Sequence, residues 1–397
     1  MSILILNRNA DYQFDSWIAD SNQKLIIFTT TNKMNKISKD KNIAHVEYFD
    51  DYEKNNLLEL RAVELNSKYN FEYVIATSEF DILRASKIRE YLKINGQWND
   101  SALAFRDKFI MKSILMQEEF LVPKFEKISN TLDILDFINQ VGFPIIIKPI
   151  DGSGSENVAK IEDYNDLKNY LNDNKLNDKM VEEYIAGDLY HIDGLFLNNE
   201  LIFSWPSRYI NQGCLAHKSG KYTGSILLDP QNEMLVKLNN YAREILIALP
   251  TPTNTVFHLE VFYSNNTLIF CEIACRRGGG YISNSIQEAF NIDLVKSSVQ
   301  HQCNINVEIP PIKFKKHTGF ILIPNRMGKI LEIPCKCEFE WVLEYKINGY
   351  IGMDSQDASS SVDSVAEFLV YGQNEEEVYK RLESLYDWFL NNTKWDR

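Results

Sequence analysis

Two glutamates, Glu260 and Glu272, stand in the apolar runs Phe257-His-Leu-Glu-Val-Phe262 and Leu268-Ile-Phe-Cys-Glu-Ile-Ala274, separated by Ser264-Asn-Asn266. Two such runs with a short Asn-rich link predict a hairpin, and a turn centred near Asn266 sets Glu260 opposite Glu272. Like charges directly opposite are destabilising, and one carboxyl is pushed toward protonation unless a cation lies between them. Mg²⁺ fits that need, because it takes oxygen ligands from one or two carboxylates and completes its shell with phosphate oxygens. An exposed strand face with two solvated acids is the plain alternative.

Lys148 ends a run of three isoleucines and is followed by Pro149 and the loop Asp151-Gly-Ser-Gly-Ser155. A cation on a mostly buried strand is discharged or destabilised unless an anion neutralises it. Phosphate is a natural candidate: Gly152 and Gly154 let backbone N–H groups approach its oxygens, while Ser153 and Ser155 add hydroxyl donors. The loop is not a Walker loop, since no Gly-Lys-Ser/Thr follows and Asn157 to Ile161 reads as strand. A simple turn is the ordinary reading of such a loop taken alone.

Past Glu272 come Arg276, Arg277 and the glycines 278–280. A guanidinium there can be aimed at a transferring phosphoryl group or a developing oxyanion, and the glycines permit close substrate approach. Met180 to Ile185 reads as a strand ending in a turn at Gly187, whose free edge could offer backbone N–H and C=O groups to a base. His191 and Asp193 alternate with apolar residues on the next strand, where a histidine is more often structural. Arg208, Tyr209, His217 and Tyr281 are polar or aromatic candidates for a substrate wall.

These groups need a frame. The first hundred residues alternate β-type runs (Ile3 to Leu6, Leu25 to Thr29, His45 to Phe49, Tyr73 to Ala76) with helix-type stretches such as Ile82 to Leu92, which predicts a doubly wound parallel sheet. Its first strand runs into Asn7-Arg8-Asn9-Ala10 without glycine, so this domain is a scaffold or substrate wall rather than a dinucleotide site. Helices are expected over Lys108 to Phe120 and Leu132 to Val141, and a linking segment over Gln302 to Lys316, with Pro310-Pro311 inside it. A last lobe begins with a strand at Gly319 to Ile323. It ends in a helix capped at Asn374, with Glu375 to Glu377 in its first turn and an apolar face of Val378, Leu382, Leu385 and Phe389. Asp357 to Ser364 reads as a mobile loop.

The chain has 397 residues and a formal charge of −13, which disfavours a phosphate-backbone partner and makes nucleic acid an unexpected ligand. No apolar stretch is long enough to span a bilayer and no leader is recognisable, so no membrane partner and a cytoplasmic location are expected. The six cysteines (Cys214, Cys271, Cys275, Cys303, Cys335, Cys337) show no zinc spacing and read as reduced, mostly packed thiols.

Taken in order, Arg106-Asp107-Lys108, Phe143-Pro-Ile-Ile-Ile-Lys148-Pro149, the Gly/Ser loop, Val181-Glu-Glu-Tyr-Ile185, His258-Leu-Glu260 and Glu272-Ile-Ala-Cys-Arg276 resemble the ATP-grasp superfamily of carboxylate–amine ligases, and most of all the bacterial L-amino acid (dipeptide) ligases. The resemblance implies an α/β chain, α+β in its ATP-grasp body. It would have a Rossmann-like domain over 1–100, a small lobe with a glycine lid over 101–185, a large lobe carrying the metal and catalytic site over 186–305, and a C-terminal α/β lobe over 306–397.

It also implies roles. Lys108 and Lys148 would hold ATP phosphates, with Gly152, Ser153, Gly154 and Ser155 closing over them. Glu182, Glu183, Tyr184 and Ile185 would form the hinge that hydrogen-bonds adenine, and His191 would lie on the ribose side. Glu260 and Glu272 would ligate Mg²⁺, with Mn²⁺ able to replace it, and Arg276 would stabilise reaction charge. Two positions depart from the family pattern: Leu189 stands where many members have Glu, and Ala274 where many have Asn. The implied activity is ADP-forming ligation of a small-molecule carboxylate to an amine, with amino acids first among substrates, in a chain whose relatives are often homodimers. A biotin-carboxylase-like enzyme and a non-catalytic nucleotide-binding protein are the competing readings.

Overall fold

The computed structural model describes residues 1–8, 10–21, 23–34, 42–211, 213–305 and 307–396. Asn9, Asn306 and the side chain of Cys214, on which expectations fell, lie outside the described residues.

Apolar β-type runs at the start of the chain form a four-stranded parallel sheet, ordered Ile43–Phe49, Lys24–Thr30, Ser2–Asn7, Phe71–Ala76. The central strand Ser2–Asn7 is buried throughout because apolar groups cover both faces. Helices Leu57–Tyr69 and Ile82–Leu92 supply one cover.

A second sheet, antiparallel and four-stranded, runs Phe125–Ile128, Lys179–Glu183, Ile145–Pro149, Ala159–Ile161. Helices Thr131–Val141 and Tyr164–Asp173 share its core. Asn130 and Asp133 close a capping box on the first helix, and Asp163 caps the second. The strand expected over 157–161 is shorter, because the preceding residues turn tightly, with Ser155 at φ +57° and Asn157 at +56°.

The largest sheet has eight antiparallel strands, in the order Thr267–Ala274, Asn254–Ser264, Asp188–Leu197, Glu200–Ile210, Thr223–Leu227, His317–Pro324, Ser364–Gly372, Val342–Ile347. Residues past 306 thus supply three strands to the same sheet as the glutamate hairpin. Helices Lys108–Gln117 and Met234–Ala248 share a core with one end of it, and Glu375–Asn391 packs on the other through Val378, Leu382, Leu385 and Phe389. The helix at Lys108 stops three residues short of Phe120, where Glu118 to Phe120 make a closing turn with Glu119 at φ +62°. A mixed α/β architecture of these parts is what the sequence predicts.

Cys271, Cys275, Cys303 and Cys337 are buried free thiols, and Cys335 is exposed. Among the described residues, no helix is long and apolar enough to cross a membrane.

Candidate active site

A cavity of about 670 Å³ opens between the second sheet, the large sheet and the Thr77–Phe80 segment of the first domain. Glu260 and Glu272 face each other within it, in the register expected from the sequence. How they do so is less simple than the expectation. Asn265 and Asn266 both adopt left-handed backbone (φ 50° and 61°) and pair Ser264 with Thr267, which alone would set Glu260 opposite Cys271. A bulge between Glu260 and Val261 shifts the register by one and brings Glu272 opposite. Tyr209 donates its hydroxyl to Glu260 Oε1 at 2.9 Å, and His258 Nε2 lies 3.3 Å from the same oxygen.

Cations crowd the pair. Lys108 Nζ is 3.3 Å from Glu272 Oε2 and donates to the Gly152 carbonyl at 2.6 Å. Burial by itself raises the Glu272 carboxyl, but Lys108, Lys148 and Arg276 outweigh it and hold it down at about 2. Lys148 is buried as expected. The anion that neutralises it here is Glu182, at 2.9 Å, with Lys112 on the other Glu182 oxygen at 3.4 Å. Burial lowers the Lys112 ammonium, and Glu182 only partly offsets that.

The glycine loop sits above these groups. Gly154 (φ +60°) and Ser155 turn back so that the Gly154 carbonyl accepts from Ser361 N–H at 2.9 Å and Ser361 Oγ at 3.1 Å. The segment expected as a mobile loop is therefore engaged. Asp363 Oδ2 accepts from Ser359 N–H, Ser359 Oγ and Ser360 N–H at 2.6–3.1 Å, folding it against the lid.

Three expectations are corrected. The strand Lys179–Glu183 has no free edge, since Phe125–Ile128 and Ile145–Pro149 pair with it on both sides. Past the paired stretch, Tyr184 and Ile185 line the cavity, with the Tyr184 N–H donated to the Pro144 carbonyl at 3.4 Å. His191 does not line the cavity: it is 1% exposed, with Nδ1 2.6 Å from Asp193 and Nε2 2.6 Å from Ser225. Of the four suggested substrate-wall residues, Tyr209 lines the cavity, whereas Arg208, His217 and Tyr281 are not among its lining residues. Behind the wall, Asp193 bridges His191 and His258, whose Nδ1 lies 2.9 Å from Asp193 Oδ1. Burial depresses the His258 imidazole, but Asp193 and Glu260 overcome it and raise it to about 9.

Residues 105–280 match the family model described as an ATP-grasp domain. The chain carries an ATP-grasp domain. It is similar to the L-arginine-specific L-amino acid ligase of Bacillus subtilis, with 29% identity over 348 residues, 84% of this chain and 83% of that one. The crystal structure of L-amino acid ligase from Bacillus licheniformis superposes at TM-score 0.72 and 14% identity, covering 100% and 99% of the two chains. N5-carboxyaminoimidazole synthase from Aspergillus clavatus superposes at 0.71 with 14% identity and 97% of each chain covered, and shares the fold. The chain is thus similar to ATP-grasp ligases over its ATP-grasp domain and beyond it.

Sequence reading missed two parts of this ATP-grasp site. Glu79, from the first domain, accepts from Arg106 at 2.6 Å and also binds Arg276 Nε. Lys112 lies one helical turn past Lys108 and, fully buried, also donates to the Cys271 carbonyl at 2.6 Å. A lysine at i+4 from a phosphate-lysine candidate was the available signal; Glu79 had none. The donor set suits a hard divalent cation: Glu260 and Glu272 offer carboxylate oxygens from adjoining strands into one cavity.

Proposed function

We infer that the protein joins two amino acids through an amide bond, passing through an acylphosphate and releasing ADP and phosphate. The observation that carries this is the convergence of the Glu260–Glu272 pair, Lys108, Lys148 and Arg276 on one cavity beneath a Gly/Ser loop. The kinship with an L-amino acid ligase over most of both chains supports an amine as the acceptor.

In this reading a substrate carboxylate attacks the γ-phosphate of ATP, and the amine then displaces phosphate. Phosphoryl transfer of this kind depends on positioning and charge neutralisation. Lys108 and Lys148 move from Gly152, Glu272 and Glu182 onto phosphate oxygens, while Gly152 to Ser155 cover them with N–H and hydroxyl donors. Tyr184 and Ile185 supply the backbone edge for adenine, with Glu182 and Glu183 bracing that hinge. Arg276 holds the oxyanion formed as the amine adds to the acyl carbon. Glu260 and Glu272 would hold Mg²⁺, which when bound neutralises the phosphates. The closed loop keeps water from the acylphosphate.

The test is phosphate release from Mg-ATP with all amino acids, singly and in pairs, and with bicarbonate alone. Release that depends on particular amino acids, with a product mass equal to their sum less water, is the expected result. Release driven by bicarbonate but by no amino acid would turn the reading toward a carboxylase.

A further inference from the structure

Granted amino-acid ligation, one end of the cavity narrows the substrate class. Beyond the glycines 278–280, Ile282, Phe320 and Leu322 pack as one buried apolar group. Together with Leu215 and Val362, they wall the same cavity as Glu260, Glu272 and Arg276. The glycine turn brings this wall close to the reacting groups. A methyl on Gly280 would lie 3.1 Å from both Phe320 and Leu322, and one on Gly279 would lie 3.4 Å from Val362. One on Gly278 would lie 2.6 Å from Ile282 and 2.9 Å from His258 Nδ1. Arg276 is thus joined to an apolar surface through Arg277, whose guanidinium lies on the Gly278 and Gly280 carbonyls, and a three-glycine turn.

Five of the six acids that line the cavity have other work. Glu79 is shared by Arg106 and Arg276, and Glu182 by Lys112 and Lys148. Glu183 accepts from the Lys124 N–H, Glu260 and Glu272 form the facing pair, and Glu156 is exposed on the glycine loop. The acids near Tyr281, Glu344 and Glu367, are bound by Asn284 and Asn348 and are not among the lining residues. A cationic side chain placed against Ile282, Phe320 and Leu322 would therefore meet no buried carboxylate that is not already engaged, whereas Arg277, on the Gly278 and Gly280 carbonyls, and Thr223, paired with Leu322, are donors that also line the cavity. Leaving a charge unpaired in apolar surroundings is strongly unfavourable.

We propose that the end of the cavity walled by Ile282, Phe320, Leu322 and Val362 receives the side chain of one amino-acid substrate, and that this side chain is aliphatic or aromatic rather than cationic. Pockets of this type discriminate by size, each methylene being worth about 10–200-fold. The experiment measures kcat/KM for ligation across the twenty amino acids with product masses. At least one apolar amino acid is expected to exceed arginine and lysine by about 100-fold or more in one of the two substrate positions. Leu322→Ala should then shift preference toward a bulkier apolar side chain by about tenfold, and Val362→Ala provides the same reading should Leu322→Ala fail to fold. Ligation confined to charged amino acids, or an unchanged ranking in both variants, would overturn the proposal and leave amide ligation standing. Absence of ligation with every amino acid, with ATP binding retained, would overturn both.

Discussion

Glu79 grips the guanidinium of Arg276 from 197 positions earlier in the chain, and its other oxygen accepts from Arg106 at 2.6 Å. The first domain thus sets the aim of the group assigned to the oxyanion. Glu79→Gln keeps the volume and removes the charge. Its kcat/KM for ligation should fall about 100-fold, as expected for a misdirected oxyanion donor, while affinity for ATP changes little. Paired measurements of ligation rate and nucleotide binding check this, and a wild-type rate would detach Glu79 from the chemistry.

Glu79 and Glu182 also tie stability to pH. Burial raises each carboxyl, but Arg276 and Arg106 outweigh it at Glu79, and Lys112 and Lys148 at Glu182, so both end below the usual carboxylate range. A depressed folded value means the contribution is fully present above the unfolded value of about 4.3 and is lost as pH falls through the folded one. Urea midpoints of the wild type should therefore drop steeply below about pH 4.3. Glu182→Gln, which strands two buried lysines, should be less stable at pH 7 by about 3–5 kcal/mol and flatter through the acid range. Parallel pH profiles for the two proteins would dispose of the assignment.

What the sequence disclosed was mostly local. The helix cap at Asn374, the apolar face from Val378 to Phe389 and the first sheet's strands follow from spacing within a few residues. The Glu260–Glu272 pairing was legible too, but through a compensation: the two-residue Asn turn is one residue shorter than expected, and the bulge restores the register. Lys112 was marked only by its place one turn past Lys108, whereas Glu79 and Ser361 act through contacts made only when distant segments meet, and nothing in their neighbourhoods marks them. The supposed free edge at Met180–Ile185 failed for the same reason, since pairing with Phe125–Ile128 is a tertiary fact. His191 failed because alternation tells which residues share a face, not which face meets the cavity.

The carboxylate pair predicts a metal requirement with a particular signature. Glu272→Gln removes one charge from a site that Lys108 already approaches at 3.3 Å, so the fold should persist. Ligation should be abolished and phosphate release lost with it, as in wild type treated with a chelator. Restoring excess Mg²⁺ should rescue the chelated wild type but leave the variant at least 100-fold down, on the order expected for losing an electrostatic group at the reacting centre. Full activity in Glu272→Gln would remove it from the metal site.

The contact between Ser361 and the glycine loop bears on coupling rather than on rate. Both the N–H and Oγ of Ser361 donate to the Gly154 carbonyl, and Asp363 holds the segment that presents them. In the proposed reaction, a loop fastened in this way would exclude water from a labile acylphosphate only while those bonds persist. Ser361→Ala loses the hydroxyl bond alone, whereas Asp363→Ala releases the whole segment, so the second variant should be the more severe. The expected readout is the ratio of phosphate released to amide formed. It should rise above one in Ser361→Ala and about tenfold further in Asp363→Ala, with ATP affinity little altered, because lid closure rather than nucleotide capture has been weakened. A ratio that stays at one in both variants, at whatever rate, would show that the loop seals the site without help from the C-terminal segment.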